Sequence, residues 1–154
     1  MKIVTFSLGN EVYGLEIEII REIIMEPEIT HVPNLPSFLK GIIRLRDQVI
    51  PMVEGVERLG YSPDKAPEKG SGKVFIVEYV GQLIGIRVGE ARQVLTIDQD
   101  DINLAPGLIS RSGADFVKGI VEYDQGENES NILLLDLDKF FTGEEIEKIK
   151  AVGE

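Results

Sequence analysis

The chain says one phrase twice: "FLKGII" at 38–43 returns as "FVKGIV" at 116–121. A second correspondence runs ahead of the first. With Gly14 set on Gly85, apolar residues coincide at 6/77, 8/79, 12/83, 15/86, 17/88 and 23/94. The glycine match has an offset of 71 positions and the phenylalanine match, Phe38 on Phe116, one of 78, so the later half carries a seven-residue insertion. A tandem duplication restricts a fold more tightly than composition does, because whatever one half builds the other must build again.

Each half consists of short β-branched runs punctuated by turn residues. They are "KIVTFSL", "VYGLEI", "REIIM", "GIIRLR" and "VIPMV", then "KVFIVEYV", "LIGIRV", "QVLTI", "GIVEY" and "NILLLDL". Isoleucine and valine at this density in pieces of five to eight residues predict strands, five per half. Residues 15–24 also satisfy helical spacing through Ile17, Ile20 and Ile24, but β-branched crowding favours a strand with a bulge at Ile19–Ile20. Helix is expected only in short connectors near 36–41 and 55–60 and at the end. There Thr142 and Glu145 stand at capping-box spacing.

Between the halves, "YSPDKAPEKGSG" is dense in Pro, Gly and charge and has no apolar period. The expected organisation is a first barrel at 1–60, a linker at 61–72, a second barrel at 73–141, and a C-terminal helix and tail at 142–154. Two small five-stranded barrels packed together suit the duplication, since a single sheet this short leaves its edges exposed.

Composition narrows function. A net charge of −11 repels phosphate backbones and anionic lipid, and the densest basic cluster, Lys40, Arg44 and Arg46, is small; neither nucleic-acid binding nor direct membrane insertion is expected. No run approaches the ~20 apolar residues of a membrane span, and "MKIVTFSLGN" lacks the form of a secretory signal; the expected location is the cytoplasm. The absence of cysteine removes disulfides, thiolate metal sites and one class of nucleophile.

Catalytic motifs are weak. His31, the one histidine, sits beside proline in a loop, and no G-x-S-x-G elbow accompanies it. "GSGK" at 70–73 lacks the earlier glycine and the following Ser or Thr of a phosphate loop. Asp136 and Asp138 would share a strand face, a spacing open to a hard metal or to a solvated strand end. Glu54 and Glu57 allow an acid/base pair or a solvated turn. A metal-dependent enzyme using acidic residues is thus the lesser alternative to a non-catalytic binding protein, and neither cofactor nor metal is expected. Arg44 and Arg46 share a strand face in "GIIRLRDQVIP", where Arg46 offers either a bidentate partner for a carboxylate or a plain solvated face.

Taken together, "VTFSLGNEVYGLEIEIIREII", "VPNLPSFLKGIIRLRDQVIPMV", "LIGIRVGEARQVLTIDQDDINLAPG" and "FVKGIVEYDQ" with "ILLLDLDKFF" resemble the CheW-like domain family across nearly the whole chain. The resemblance implies that 1–154 is a single CheW-like domain made of two SH3-like β-barrels. It also implies a cytoplasmic adaptor without catalysis, linking chemoreceptor cytoplasmic tips to the regulatory domain of the histidine kinase CheA in membrane-associated arrays. Carried over by position, receptor-facing residues would be Arg46, Glu22, Ile20, Gly41 and Val88, and a kinase-facing residue Leu108. Arg44 and Asp47 stand where the family usually has asparagine and a turn glycine, and Asp47 puts a carboxylate beside Arg46. That departure leaves an alternative, an accessory CheW-like scaffold for another receptor or kinase pathway.

Overall fold

All ten strand runs become strands, and the halves that contain them are interleaved. A computed structural model describes residues 1–103, 116–125 and 128–152. The first half supplies β1 (Lys2–Leu8), β2 (Glu11–Glu16), β3 (Ile20–Met25), β4 (Leu39–Leu45) and β5 (Gln48–Glu54). The second supplies β6 (Lys73–Tyr79), β7 (Gln82–Val88), β8 (Ala91–Thr96), a two-residue β9 (Ile102–Asn103), β10 (Val117–Gln125) and β11 (Asn128–Leu135). Three α-helices, α1 (Gly55–Arg58), α2 (Leu137–Phe140) and α3 (Gly143–Val152), and three single 3-10 turns complete the elements among the described residues.

The protein is mainly β, with two packed sheets in the orders β8-β1-β2-β11-β10-β9 and β3-β6-β7-β5-β4. Neither sheet belongs to one half. β2 runs parallel to β11 with Gly14 opposite Leu134, and β5 runs parallel to β7 with Met52 opposite Gly85. The expected division into a barrel from 1–60 and another from 73–141 is therefore corrected. Each half gives its first hairpin, β1–β2 or β6–β7, to the sheet that contains the other half's last hairpin. The two halves also finish their sheets alike. β9 pairs with β10, and Thr30, in the chain after β3, bridges Ile42 on β4.

Two-residue turns join the β1–β2, β4–β5 and β6–β7 hairpins. Gly9 sits at φ +60°, and Val80–Gly81 and Arg46–Asp47 have positive φ at both positions, the geometry whose twist matches paired strands. The alternation of the strands creates three apolar clusters. Ile3, Ile132 and Leu134 lie in one inside the first sheet; Ile43, Met52 and Val74 in another inside the second. The largest lies between them, with Phe6, Tyr13, Phe75, Ile86 and Phe140.

Local expectations differ in three places. Residues 17–19 form a single 3-10 turn between β2 and β3, and the bulge expected at Ile19–Ile20 falls just beyond it, as a register shift between Ile20 and Glu22. Residues 36–41 make a turn, not a helix: the Leu39 amide donates to the Pro36 carbonyl, and β4 begins there because Leu39 pairs across to Val53. Asp136 and Asp138 do not share a strand. β11 ends at Leu135, and Asp136 caps α2 by accepting from the Asp138 amide at 3.0 Å. The capping box at Thr142 and Glu145 is formed, with its two bonds at 2.9 and 3.1 Å.

Candidate functional site

Glu22 and Arg46 reach the same groove by different routes. Glu22 sits on β3 just past the register shift, while Arg46 occupies the first position of the β4–β5 turn at φ +49°. Its guanidinium takes both carboxylate oxygens of Glu22, Nη1 donating at 2.8 Å and Nη2 at 2.7 Å. This is the fork geometry that makes arginine suited to carboxylates. The Arg46 hydrogen bond holds the Glu22 carboxyl below the usual range and raises the guanidinium in turn. Leu45, Ile76 and Leu83 line one groove with this pair and with a second one, Arg21 with Glu78. The result is a shallow groove with apolar walls and two ion pairs on its rim.

The location of Arg46 departs from expectation twice. It lies in the turn and so does not share a strand face with Arg44, and its carboxylate partner is Glu22 and not the neighbouring Asp47. Ile20 is half-buried and lines the adjoining groove with Glu18, Arg21 and Val80. Val88 is fully buried, and a Cβ on Gly41 would come within 2.6 Å of the Thr30 carbonyl oxygen. Leu108 lies outside the described residues.

Two charged clusters were not legible in the sequence. Arg87 is buried on β7, where its Nη1 donates to Glu54 at 2.8 Å, its Nε to Glu26, and its Nη2 to the carbonyls of Pro67 and Glu68 at 2.9 Å each. Glu54 is thus neither a general base nor part of a solvated turn; burial pushes its carboxyl up, and Arg87 offsets only part of that. Glu57 is paired with Lys40 at 2.8 Å. The only hint was one arginine inside the apolar run "LIGIRV".

The second cluster explains the repeated phrase. Phe38 and Phe116, the first residues of its two copies, both pack on the Arg58 guanidinium with ring centroids 5.6 Å away. Arg58 also donates to the Phe140 carbonyl at 2.8 and 2.9 Å and to Glu145, joining α1 to the start of α3.

His31 is exposed in its loop. The "GSGK" segment is used structurally, with the Gly70 amide donating to Glu26. Among the described residues no group of three or more His, Cys, Asp or Glu is placed to hold a metal ion, and no helix is long and apolar enough to cross a membrane.

Comparison with known proteins follows this geometry. A family model described as CheW-like domain matches residues 2–145. A chemotaxis protein CheW of Treponema pallidum is 28% identical over 151 residues, covering 96% of this chain and 86% of its own. One of Rhizobium meliloti is 30% identical over 147 residues, covering 95% and 90%. The crystal structure of the scaffolding protein TtCheW from Thermoanaerobacter tengcongensis superposes with a TM-score of 0.78 at 33% identity, over 92% of this chain and 87% of that one.

Proposed function

The chain belongs to the CheW-like domain family, and from that premise we propose that it is a non-catalytic scaffold of chemotaxis signalling that couples chemoreceptor cytoplasmic tips to the histidine kinase CheA. The observation that carries the receptor half of this reading is the exposed Arg46–Glu22 pair on a groove with apolar walls. An arginine held out by a turn and already oriented by a carboxylate can exchange that carboxylate for one on a helical partner, while Leu45 and Leu83 supply apolar contact. The ion pair keeps the guanidinium in position before binding, which lowers the ordering cost of association.

Leu108 is the kinase-facing residue in this proposal, by position within the family. Recruitment to a membrane-associated array follows from the two partners and not from any lipid contact of its own. The departures at Arg44 and Asp47 keep an accessory scaffold for another receptor or kinase pathway as the alternative, although the Arg46 guanidinium pairs with Glu22 and not with Asp47.

The test is co-elution of the protein with a receptor cytoplasmic fragment and with the kinase regulatory domain, separately and together. A three-component complex is expected. Binding to neither would overturn the proposal, and Leu108→Asp should weaken the kinase arm alone.

A further inference from the structure

Of the non-glycine residues at positive φ among the described residues, Asn34, Arg46, Asp47 and Val80, only Val80 is β-branched. It holds φ +51° at the first position of the β6–β7 turn, where a branched Cβ crowds the backbone and glycine, asparagine or aspartate is the ordinary choice. Val80 is also 58% exposed, so burial does not offset the strain. One exposed apolar residue is ordinary on a protein surface. An exposed one held in a backbone conformation that it disfavours is explained neither by turn chemistry nor by the core.

The duplication supplies an internal comparison. At the 71-position offset Val80 corresponds to Gly9, which has φ +60° in the β1–β2 turn. There the turn is covered by the chain's own Tyr61: a Cβ on Gly9 would stand 3.0 Å from its ring, and its hydroxyl shares a 2.7 Å hydrogen bond with that of Tyr13. The β6–β7 turn has no such cover. A Cβ on Gly81 would meet nothing within 4 Å, and Val80 puts apolar surface where the first half has glycine. The same backbone is thus closed over by an aromatic ring in one half and left open, with an apolar side chain, in the other.

The open turn borders the candidate site. Gly81 and Glu78 line the groove of Arg46 and Glu22, and both also line the adjoining groove of Ile20 and Val80. Gly81 lines a third depression as well, which reaches Val152 on α3, so the turn is common to one continuous trough. We propose that Val80 is a specificity-determining apolar anchor of this trough, and that its occupant is a helical segment of the receptor with a large apolar side chain seated on the Val80–Gly81 turn. The inference rests on the receptor reading of the Arg46–Glu22 groove and adds the chemistry of a second contact. A helix suits the place better than an added strand, because β6 and β7 are both paired on each side and offer no free backbone edge. With Arg21 and Glu78 paired to each other on the rim, Val80 and the half-buried Ile20 offer apolar contact, the counterpart of what Tyr61 gives Gly9.

The test is titration of Val80→Asn and Val80→Leu against a receptor cytoplasmic fragment, beside thermal melts. Asparagine accepts positive φ and is polar, so Val80→Asn should melt higher than the wild type while its affinity falls about tenfold. Val80→Leu keeps an apolar surface and should bind within about threefold of the wild type. Wild-type affinity in Val80→Asn would overturn the anchor, and so would a lowered melting temperature, which would mean that the fold itself uses the valine. A loss in Val80→Leu as large as that in Val80→Asn would show that the contact is not apolar and would equally overturn it. Arg46→Glu, titrated alongside, separates this inference from the receptor reading. If Arg46→Glu weakens binding and Val80→Asn does not, the anchor alone is overturned; a wild type that does not bind the fragment overturns both.

Discussion

Arg46 holds both carboxylate oxygens of Glu22 at 2.7 and 2.8 Å, although 24 residues separate them in sequence. The pair is surface-exposed on the arginine side, 72% against 29%, so its guanidinium is accessible while its orientation is already set. Binding, rather than folding, is where a change at Arg46 should register.

Arg46→Glu places two carboxylates together and presents like charge to a receptor carboxylate. Affinity for a receptor fragment should fall at least about tenfold, while the melting temperature barely moves. The reversed pair Glu22→Arg/Arg46→Glu separates two roles, since it restores the internal pair but not the outward charge. Titration of this double variant should show affinity still reduced; full recovery would mean that only the internal pair matters.

Gly41 sits near the same residues in the family pattern and is itself buried. A methyl there meets the Thr30 carbonyl oxygen at 2.6 Å and the Ile29 side chain at 2.8 Å, against the bridge that joins Thr30 to Ile42. Gly41→Ala should cost about 1–3 kcal/mol, as overpacking of a filled interior does. Thermal melts check this, and a normal melting temperature combined with lost receptor binding would refute the buried role.

The Arg87 cluster holds two carboxylates against one guanidinium. Arg87→Ala leaves both without their cation and should cost about 3–5 kcal/mol in denaturant melts. Glu54→Gln leaves Glu26 to pair with Arg87 and should cost no more than about 1 kcal/mol at neutral pH.

The same glutamate sets a pH dependence. Burial raises the Glu54 carboxyl above its ordinary value, so the folded state binds that proton more readily than the unfolded chain. Its contribution to stability is then present at acid pH and is lost as pH rises through the folded pKa. Relative to Glu54→Gln, the wild type should gain stability as pH drops from about 7 to about 4.3. A gap between the two that stays constant over this window would show that the carboxyl is not raised.

Arg58 joins the two phenylalanines of the repeated phrase to α3. Arg58→Leu keeps apolar contact with the rings but loses the charged bonds to Phe140 and Glu145. A loss of about 1.5–3 kcal/mol is expected. Hydrogen exchange should show the amides of α3 losing protection before those of β6 and β7; uniform loss across the protein would argue against a local clamp.

The amino-acid sequence by itself determined the elements: ten strands from β-branched runs, the capping box at Thr142 and Glu145, and the duplication. Each of these rests on neighbours a few residues apart, where propensity and hydrogen bonding act directly. Family membership was also legible, because its motifs are linear. Which strand lies beside which was decided only in three dimensions. The alternation of β2 reads the same whether its parallel partner is β5 or β11, and so the exchange of hairpins leaves no mark on periodicity. Charge pairing followed the same limit. Arg46 chose Glu22 over adjacent Asp47, and Glu54 was buried against Arg87, because the ladders of the second sheet bring β3, β5 and β7 within reach of one another. Side chains distant in sequence meet only after those ladders form.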